Sequence, residues 1–214
     1  MERRYSTGEE IANGVTHGIG VMLSIAALVI LVSLSAINGD VWRVVSFSVY
    51  GTTLILLYLA STLYHAFQKP NLKRVFRLLD HSAIFLLIAG TYTPLTLITL
   101  RGPWGWTLFG LTWTIAVFGI IWTVFFIDKF KALSSILYVA MGWLIIIAIK
   151  PLIEAMPDGG MFWVGSGGVV YTIGVIFYIW KKLPYNHAIW HLFVLGGSVL
   201  HFFAMLFYIL PLVK

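Results

Sequence analysis

Residues 183–213 read LPYNHAIWHLFVLGGSVLHFFAMLFYILPLV, a largely apolar run without a single Asp, Glu, Lys or Arg. An α-helix needs about 20 predominantly apolar residues to cross the hydrocarbon layer of a bilayer. Six other segments are equally free of these four residue types, and each has about 18 residues or more. In chain order the seven segments are 11–39, 44–68, 81–100, 102–127, 132–149, 159–180 and 183–213. The sequence therefore predicts an all-α membrane protein, a seven-transmembrane helix bundle.

The connections between the segments are short, which indicates a single transmembrane domain over residues 1–214. A transmembrane β-barrel is excluded, because its strands would be segments of about ten residues that alternate polar and apolar side chains. The helices of the bundle are predicted at approximately 12–36, 43–67, 76–98, 104–127, 132–151, 160–181 and 187–212.

The composition of the 214 residues supports the same class. Apolar side chains make up 60% and charged ones only 10%, whereas a soluble domain carries about 25% charged residues. This excludes a cytosolic enzyme and a disordered chain. The chain has no cysteine, so disulfides and thiolate-based metal sites are excluded as well. A metal site in this chain must therefore use His, Asp and Glu.

The positions of Lys and Arg predict the orientation, because cytoplasmic loops carry an excess of both. With seven helices, ten of these residues fall on the side of the N-terminus and four on the other side. The first set is Arg3, Arg4, Lys69, Lys73, Arg74, Arg77, Lys129, Lys131, Lys181 and Lys182, and the second is Arg43, Arg101, Lys150 and Lys214. We expect a multi-pass protein of the cell membrane with a cytoplasmic N-terminus and an outside C-terminus. Topology and anionic lipid explain the net charge of +6, and no nucleic-acid partner is expected.

Seven ionisable side chains lie in the apolar segments or at their edges. Each such residue costs about 2.5–3.5 kcal/mol on insertion scales and is a candidate functional group. Odd-numbered helices begin on the side of the membrane where even-numbered helices end. Six of the seven groups lie near the start of an odd-numbered helix or the end of an even-numbered one, so they fall at one level of the bilayer. These six are His17, His65, Asp80, His81, His187 and His191, and the seventh, His201, lies about 15 Å deeper. Because the six groups share one depth in the bilayer, the sequence predicts that they form a functional site.

The spacing of the histidines favours a metal. His187 and His191 are four residues apart and share one helix face, and His65 supplies a third imidazole from another helix. Three histidines with one open position form the ligand set of a catalytic zinc site. Asp80 would hold or deprotonate a bound water, and Ser61, one turn before His65, would hydrogen-bond that water or a developing oxyanion. Three imidazoles also suit copper, nickel or iron.

For each of the remaining polar residues, a packing role is an alternative to a functional role. A membrane histidine taken alone is more often an interhelical hydrogen-bond partner than a metal ligand. Asn13 and His17 are expected to support the ligands or to pack between helices, and His81 to pack at a helix interface. For His201 we expect a structural role or a place in a substrate cavity. The glycine-rich residues 165–168 permit close approach of two helices, and Pro94 predicts a kink in the third helix.

Taken together, these residues resemble the hemolysin III family, the bacterial branch of the progestin and adiponectin receptor (PAQR) group, which is related to the alkaline ceramidases. The resemblance covers essentially the whole chain. It implies a seven-helix bundle in which His65, His187 and His191 bind Zn²⁺, while Asp80 contacts the ion through water and Ser61 belongs to the same constellation. The motifs that carry it are Glu10-x-x-Asn13-x-x-x-His17-Gly18, Ser61-x-x-x-His65, Asp80, Tyr92-Thr93-Pro94, and His187-x-x-x-His191 followed by His201.

Three functions remain open at this level. The first is a zinc-dependent hydrolase, similar to a ceramidase, that cleaves amide or ester bonds of membrane lipids and serves lipid homeostasis. The second is a cytolytic pore-forming protein, although the fourth, fifth and sixth helices lack the polar stripe that a channel requires. The third is a non-enzymatic sensor of membrane state with a structural zinc ion. A membrane lipid is the expected substrate or ligand, and the sequence specifies neither its identity nor the oligomeric state.

Overall fold

The computed structural model describes residues 5–127, 129 and 131–211, and it contains no strand in this part of the chain. Seven helical stretches are long and apolar enough to cross a membrane, which confirms the predicted bundle. The α-helices are α1 (Thr7–Asn38), α2 (Val41–Ala66), α3 (Pro70–Pro94), α4 (Pro103–Phe126), α5 (Lys131–Gly142), α6 (Ile149–Ala155), α7 (Gly160–Ile179) and α8 (Asn186–Ala204). The span from Leu133 to Ala155 combines α5 and α6. The predicted end of the last helix at 212 lies outside the described residues.

Local hydrogen bonds set the starts of the first helices. At α1 a capping box forms, in which the Glu9 amide donates to Ser6 Oγ (3.2 Å) and the Ser6 amide donates to Glu9 Oε2 (2.8 Å). At α2 the Asp40 carboxylate accepts from the Arg43 amide (2.9 Å). Pro70 occupies the first turn of α3, where its missing N–H leaves no helical partner unsatisfied. These starts determine which residues of each helix face the interior.

The helices pack in an order that closes the bundle. α1 contacts α2, α2 contacts α3, α3 contacts α4, α7 contacts α8, and α8 returns to α1. Phe47, Tyr50 and Tyr58 of α2 are completely or almost completely buried in this interior. Large apolar side chains such as Phe118 of α4 are exposed on the outside, as expected for helices that face lipid. The bundle end that contains the starts of α1, α3 and α8 and the end of α2 is called the proximal end below.

Two spans end in π-helical geometry. After Pro94, where the sequence predicted a kink, the backbone of α3 continues as a π-helical turn over Leu95–Thr99. Proline has no N–H to donate to the preceding turn, so regular α-helical bonding is interrupted there. A second π-helical turn, Met205–Ile209, follows α8 without any proline and was not predicted. The two turns contact each other.

The fifth span is broken in the interior of the bundle, between α5 and α6. A short 3₁₀ turn over Leu144–Ala148 connects the two helices. Tyr92 of α3 bridges the break, because its hydroxyl donates to the carbonyl of Gly142 (2.9 Å) and accepts from the amide of Ile145 (2.7 Å). Non-helical backbone is tolerated at membrane depth only where its polar groups find partners. The Tyr92 hydroxyl therefore stabilises a break that would otherwise leave the buried amide of Ile145 and the carbonyl of Gly142 without this partner.

Replacement of Tyr92 by Phe should destabilise the protein by about 1–3 kcal/mol, because the buried amide of Ile145 loses its acceptor. The loss is measured as a lower midpoint of thermal unfolding in detergent. Tyr208→Phe is a matched control, since the hydroxyl of this half-buried tyrosine makes no hydrogen bond within the described part of the chain. Equal midpoints for the two variants would contradict the role assigned to Tyr92.

Candidate metal centre

Three buried imidazoles meet at the proximal end. His65 lies in the last turn of α2, and His187 and His191 lie in the first two turns of α8. Each offers one nitrogen to a group whose atoms all lie within 4.8 Å of one another. The exposed fractions of the three residues are 2%, 6% and 1%. The structure thus brings together the three residues that the sequence predicted as metal ligands.

Helix α1 orients two of the three rings. His65 Nδ1 lies 2.6 Å from Glu10 Oε2, and His191 Nδ1 lies 3.1 Å from the backbone oxygen of Asn13 and 3.2 Å from Thr16 Oγ1. Both contacts on His191 and the carboxylate on His65 are acceptors, so each Nδ1 carries the proton. In the neutral ring the Nε2 atom then holds the free lone pair. Hydrogen bonds of this kind orient histidine ligands in known metal sites.

Nitrogens of His65 and His187 lack hydrogen-bond partners within the described residues. His65 Nε2 and both ring nitrogens of His187 are buried without a hydrogen-bond partner among the described residues. A buried polar atom without a partner costs about 1–3 kcal/mol. One nitrogen from each of His65, His187 and His191 lies within 4.8 Å of the other two, and three imidazole nitrogens match the donor set of Zn²⁺ and other imidazole-binding metals. The residues present therefore fit a metal ion.

Asp80 and Ser61 border this cluster. Asp80 is 6% exposed and Ser61 is completely buried. The Ser61 side chain is close to the Asp80 carboxyl, although Ser61 Oγ has no hydrogen bond of regular geometry within the described chain. Asp80 is not part of the close-packed ligand group, which contains histidines alone. Asp80 lines the same cavity as His187 and His191, and its Oδ2 atom lies 3.6 Å from His81 Nδ1.

His17 and His81 occupy other positions near the cluster. The ring of His17 stacks on the ring of His191, with centroids 3.5 Å apart and planes 11° apart. It also meets the edge of Tyr58 at 4.9 Å, and neither of its buried nitrogens has a partner in the described structure. His81 Nδ1 lies 3.0 Å from the backbone oxygen of Arg77. Of the predicted supporting residues, Asn13 and His17 thus contact ligands, whereas His201 lies elsewhere.

Thr16, Glu10 and Tyr5 contact the cluster and were not predicted as site residues. Glu10 joins His65 to Lys73, whose Nζ lies 2.6 Å from Glu10 Oε1. Tyr5 covers the cluster, with its ring centroid 5.2 Å from that of His187. A signal for Glu10 was present in the sequence, since a carboxylate at the start of an apolar helix shares a helix face with Asn13 three residues later and His17 seven residues later. Tyr5 carried no such signal.

A cavity of about 150 Å³ extends from the cluster into the bundle between α3, α5, α7 and α8. A single water needs only about 15 Å³ of such space, so the cavity has room for a larger ligand. Its walls are mainly apolar, including Leu87, Val139 and Val175. Asp80, His187 and His191 line its proximal end, and His201 lines its distal end.

The fold and the site define a class, a multi-pass membrane protein with a buried histidine cluster inside its helix bundle. The model of the haemolysin-III-related family matches residues 5–202, and the chain belongs to this family. It is 56% identical to hemolysin-3 of Bacillus cereus over 203 residues, which cover 95% of this chain and 93% of the relative. It is 50% identical to a hemolysin-3 homolog of Bacillus subtilis over 204 residues, covering 95% and 96% of the two chains.

A more distant similarity reaches an animal protein. The chain is 28% identical to the human monocyte to macrophage differentiation factor over 203 residues, covering 92% of this chain and 83% of the relative. The resemblance on which the sequence analysis relied is thereby confirmed for the hemolysin III family and for distant PAQR relatives.

Glu10→Gln should weaken Zn²⁺ binding about 10–100-fold, because a neutral amide no longer fixes the Nδ1–H tautomer of His65 as a carboxylate does. Competition with a chelator of known affinity measures the effect on the purified protein. Glu154→Gln is the matched control, since it makes the same change of charge at an exposed residue of α6. Unchanged affinity in Glu10→Gln would show that the carboxylate does not support the ligand.

Proposed function

We propose that this protein is an intramembrane zinc-dependent hydrolase that cleaves an amide or ester bond of a membrane lipid. The observation that carries the proposal is the group of three buried imidazoles at the proximal end of an apolar cavity, with the Asp80 carboxylate beside it. His65, His187 and His191 would hold the ion. A bound Zn²⁺ supplies Lewis acidity, which polarises a carbonyl and lowers the pKa of water to about 7.

The chain's own residues account for the other requirements of hydrolysis. The apolar cavity would bind the acyl chain and place its carbonyl at the histidine cluster. Asp80 would take the proton of the attacking water at a carboxylate oxygen and deliver it to the leaving amine or alcohol. Ser61 would donate its hydroxyl hydrogen to the carbonyl oxygen as negative charge develops there. Addition of one water thus yields a fatty acid and an amine or alcohol.

The composition of the ligand group supports an enzyme over a purely structural metal site. Structural zinc sites are closed by four protein ligands, whereas catalytic sites keep a position open. Here the close group contains three histidines and omits the neighbouring Asp80. A membrane-state sensor with a structural metal would be favoured by a fourth protein ligand in that position.

Asp80→Asn should lower hydrolysis of a long-chain ceramide or acyl ester about 10²–10⁴-fold, because the amide cannot accept the proton of the attacking water. Its zinc content should equal that of the wild type, since Asp80 is not part of the ligand group. Product release is followed by mass spectrometry in vesicles that contain the purified protein. Asp158→Asn, the same change at an exposed turn residue, should leave the rate unaltered. Full activity in Asp80→Asn, or no hydrolysis by the zinc-loaded wild type, would contradict the proposal.

The names of the two Bacillus relatives favour a second candidate function, lysis of cells. Release of a trapped dye from vesicles that contain the purified protein tests it. Release that is equal in wild type and Asp80→Asn would favour a pore. Retention of the dye together with lipid turnover would make lysis a secondary effect of altered lipid.

A further inference from the structure

The distal end of the cavity contains a second polar position, His201 of α8. His187, His191, Val194, Ser198 and His201 follow one another at intervals of four and three residues, so all five lie on one face of the helix. Four of them line the cavity, namely His187, His191, Val194 and His201. Ten residues separate His191 from His201, which corresponds to about 15 Å along the helix axis. His201 is therefore too far from the cluster to share an ion with it.

The hydrogen bonding of His201 determines its chemical role. Its Nε2 lies 3.1 Å from the backbone oxygen of Val164, and a carbonyl oxygen can only accept, so Nε2 carries the proton. In the neutral ring Nδ1 is then an acceptor. This atom is buried and has no partner in the part of the chain that the structure describes. His201 thus presents a buried acceptor that a ligand with a donor would satisfy.

The neighbouring helix holds the ring in this orientation. A Cβ at Gly167 of α7 would overlap the imidazole of His201, so only glycine leaves space for the ring. The ring of Tyr171, one helical turn later, lies 5.4 Å away between centroids. The glycine-rich stretch that predicted close helix approach therefore makes room for one side chain in particular. The packing of α7 against α8 therefore fixes the position of His201.

The hydroxyl groups of Tyr58, Tyr171 and Ser198 are already engaged with one another. Tyr58 Oη and Tyr171 Oη each lie 2.7 Å from Ser198 Oγ, so the three hydroxyls form a cluster of their own. Tyr58 Oη also lies 3.3 Å from the carbonyl of Val194. Within the described residues none of these three hydroxyls bonds to His201 Nδ1, so this acceptor remains open.

We propose that His201 is a hydroxyl-binding subsite, at which Nδ1 accepts a hydrogen bond from a hydroxyl carried in the middle of the substrate's acyl chain. The direction of the chain rests on the proposed function, which places the carbonyl at the histidine cluster. Carbon–carbon bonds of about 1.5 Å advance an extended chain by about 1.25 Å per carbon. The separation of about 15 Å therefore corresponds to a hydroxyl about twelve carbons from the carbonyl. The substrate class is a lipid with a hydroxylated long acyl chain.

The test measures binding, which requires no turnover. Trp143 and Trp190 line the cavity, so a brominated fatty acid bound there should quench their fluorescence in the purified full chain. Three competitors are compared: stearate, a hydroxystearate with the hydroxyl about twelve carbons from the carboxylate, and an isomer with the hydroxyl near the carboxylate. The wild type should bind the mid-chain isomer about tenfold more tightly than either other acid, because only this isomer gives Nδ1 a donor.

Two variants distinguish a preference caused by the Nδ1 acceptor from one caused by the shape of the site. His201→Leu removes the acceptor and should abolish the preference, whereas His201→Asn keeps an acceptor near the position of Nδ1 and should retain it. Equal affinity of the wild type for all three acids would overturn the proposal, as would an equal gain for both hydroxylated isomers. The comparison of isomers on the wild type needs no variant that might fail to fold.

The outcomes also distinguish this inference from the hydrolase proposal. A preference for the mid-chain hydroxyl without any lipid hydrolysis would support the subsite and contradict the hydrolase. Hydrolysis without such a preference would support the hydrolase and contradict the subsite.

Discussion

The structure depends on one constraint, that a polar atom inside an apolar bundle needs a partner. Water is scarce at membrane depth, so each buried donor or acceptor must be satisfied by the chain or by a ligand. The break in the fifth span obeys this rule through the hydroxyl of Tyr92. His65 Nε2 and the nitrogens of His187 do not find a partner within the described chain. Where the chain leaves such atoms unpaired in a group, the constraint points to a ligand from outside.

In the proposed function, the histidine cluster forms the reactive end of the cavity and His201 its binding end. Helix α1 contributes Glu10, Asn13 and Thr16, which orient the imidazoles of α2 and α8 from outside the ligand group. Helices α3, α5, α7 and α8 contribute the walls of the cavity. The two proposals thus assign the chemistry and the recognition of the acyl chain to different residues. A change in the distal half should then alter substrate preference without altering the metal.

Much of this arrangement could be predicted from the sequence. Uninterrupted apolar segments predicted the seven spans, and the alternation of helix direction predicted that residues as far apart as His65 and His187 share one level. The partners of these residues could not be predicted, because contacts such as Glu10 with His65 depend on how two helices are rotated against each other. The break between α5 and α6 was missed for a related reason. Its apolar residues, including Leu144 and Ile146, fit a continuous helix as well as a broken one, and the hydroxyl of Tyr92 comes from another helix.

Metal analysis of the purified protein tests the central claim most directly, with the wild type measured beside the double variant His187→Ala/His191→Ala. The account predicts about one zinc ion per wild-type chain, since three imidazoles form one catalytic-type site, and loss of the ion in the variant. A well-folded wild type that binds no metal, or a variant that keeps the full amount, would contradict it. The histidine cluster would then be a hydrogen-bonding network between helices rather than a metal centre.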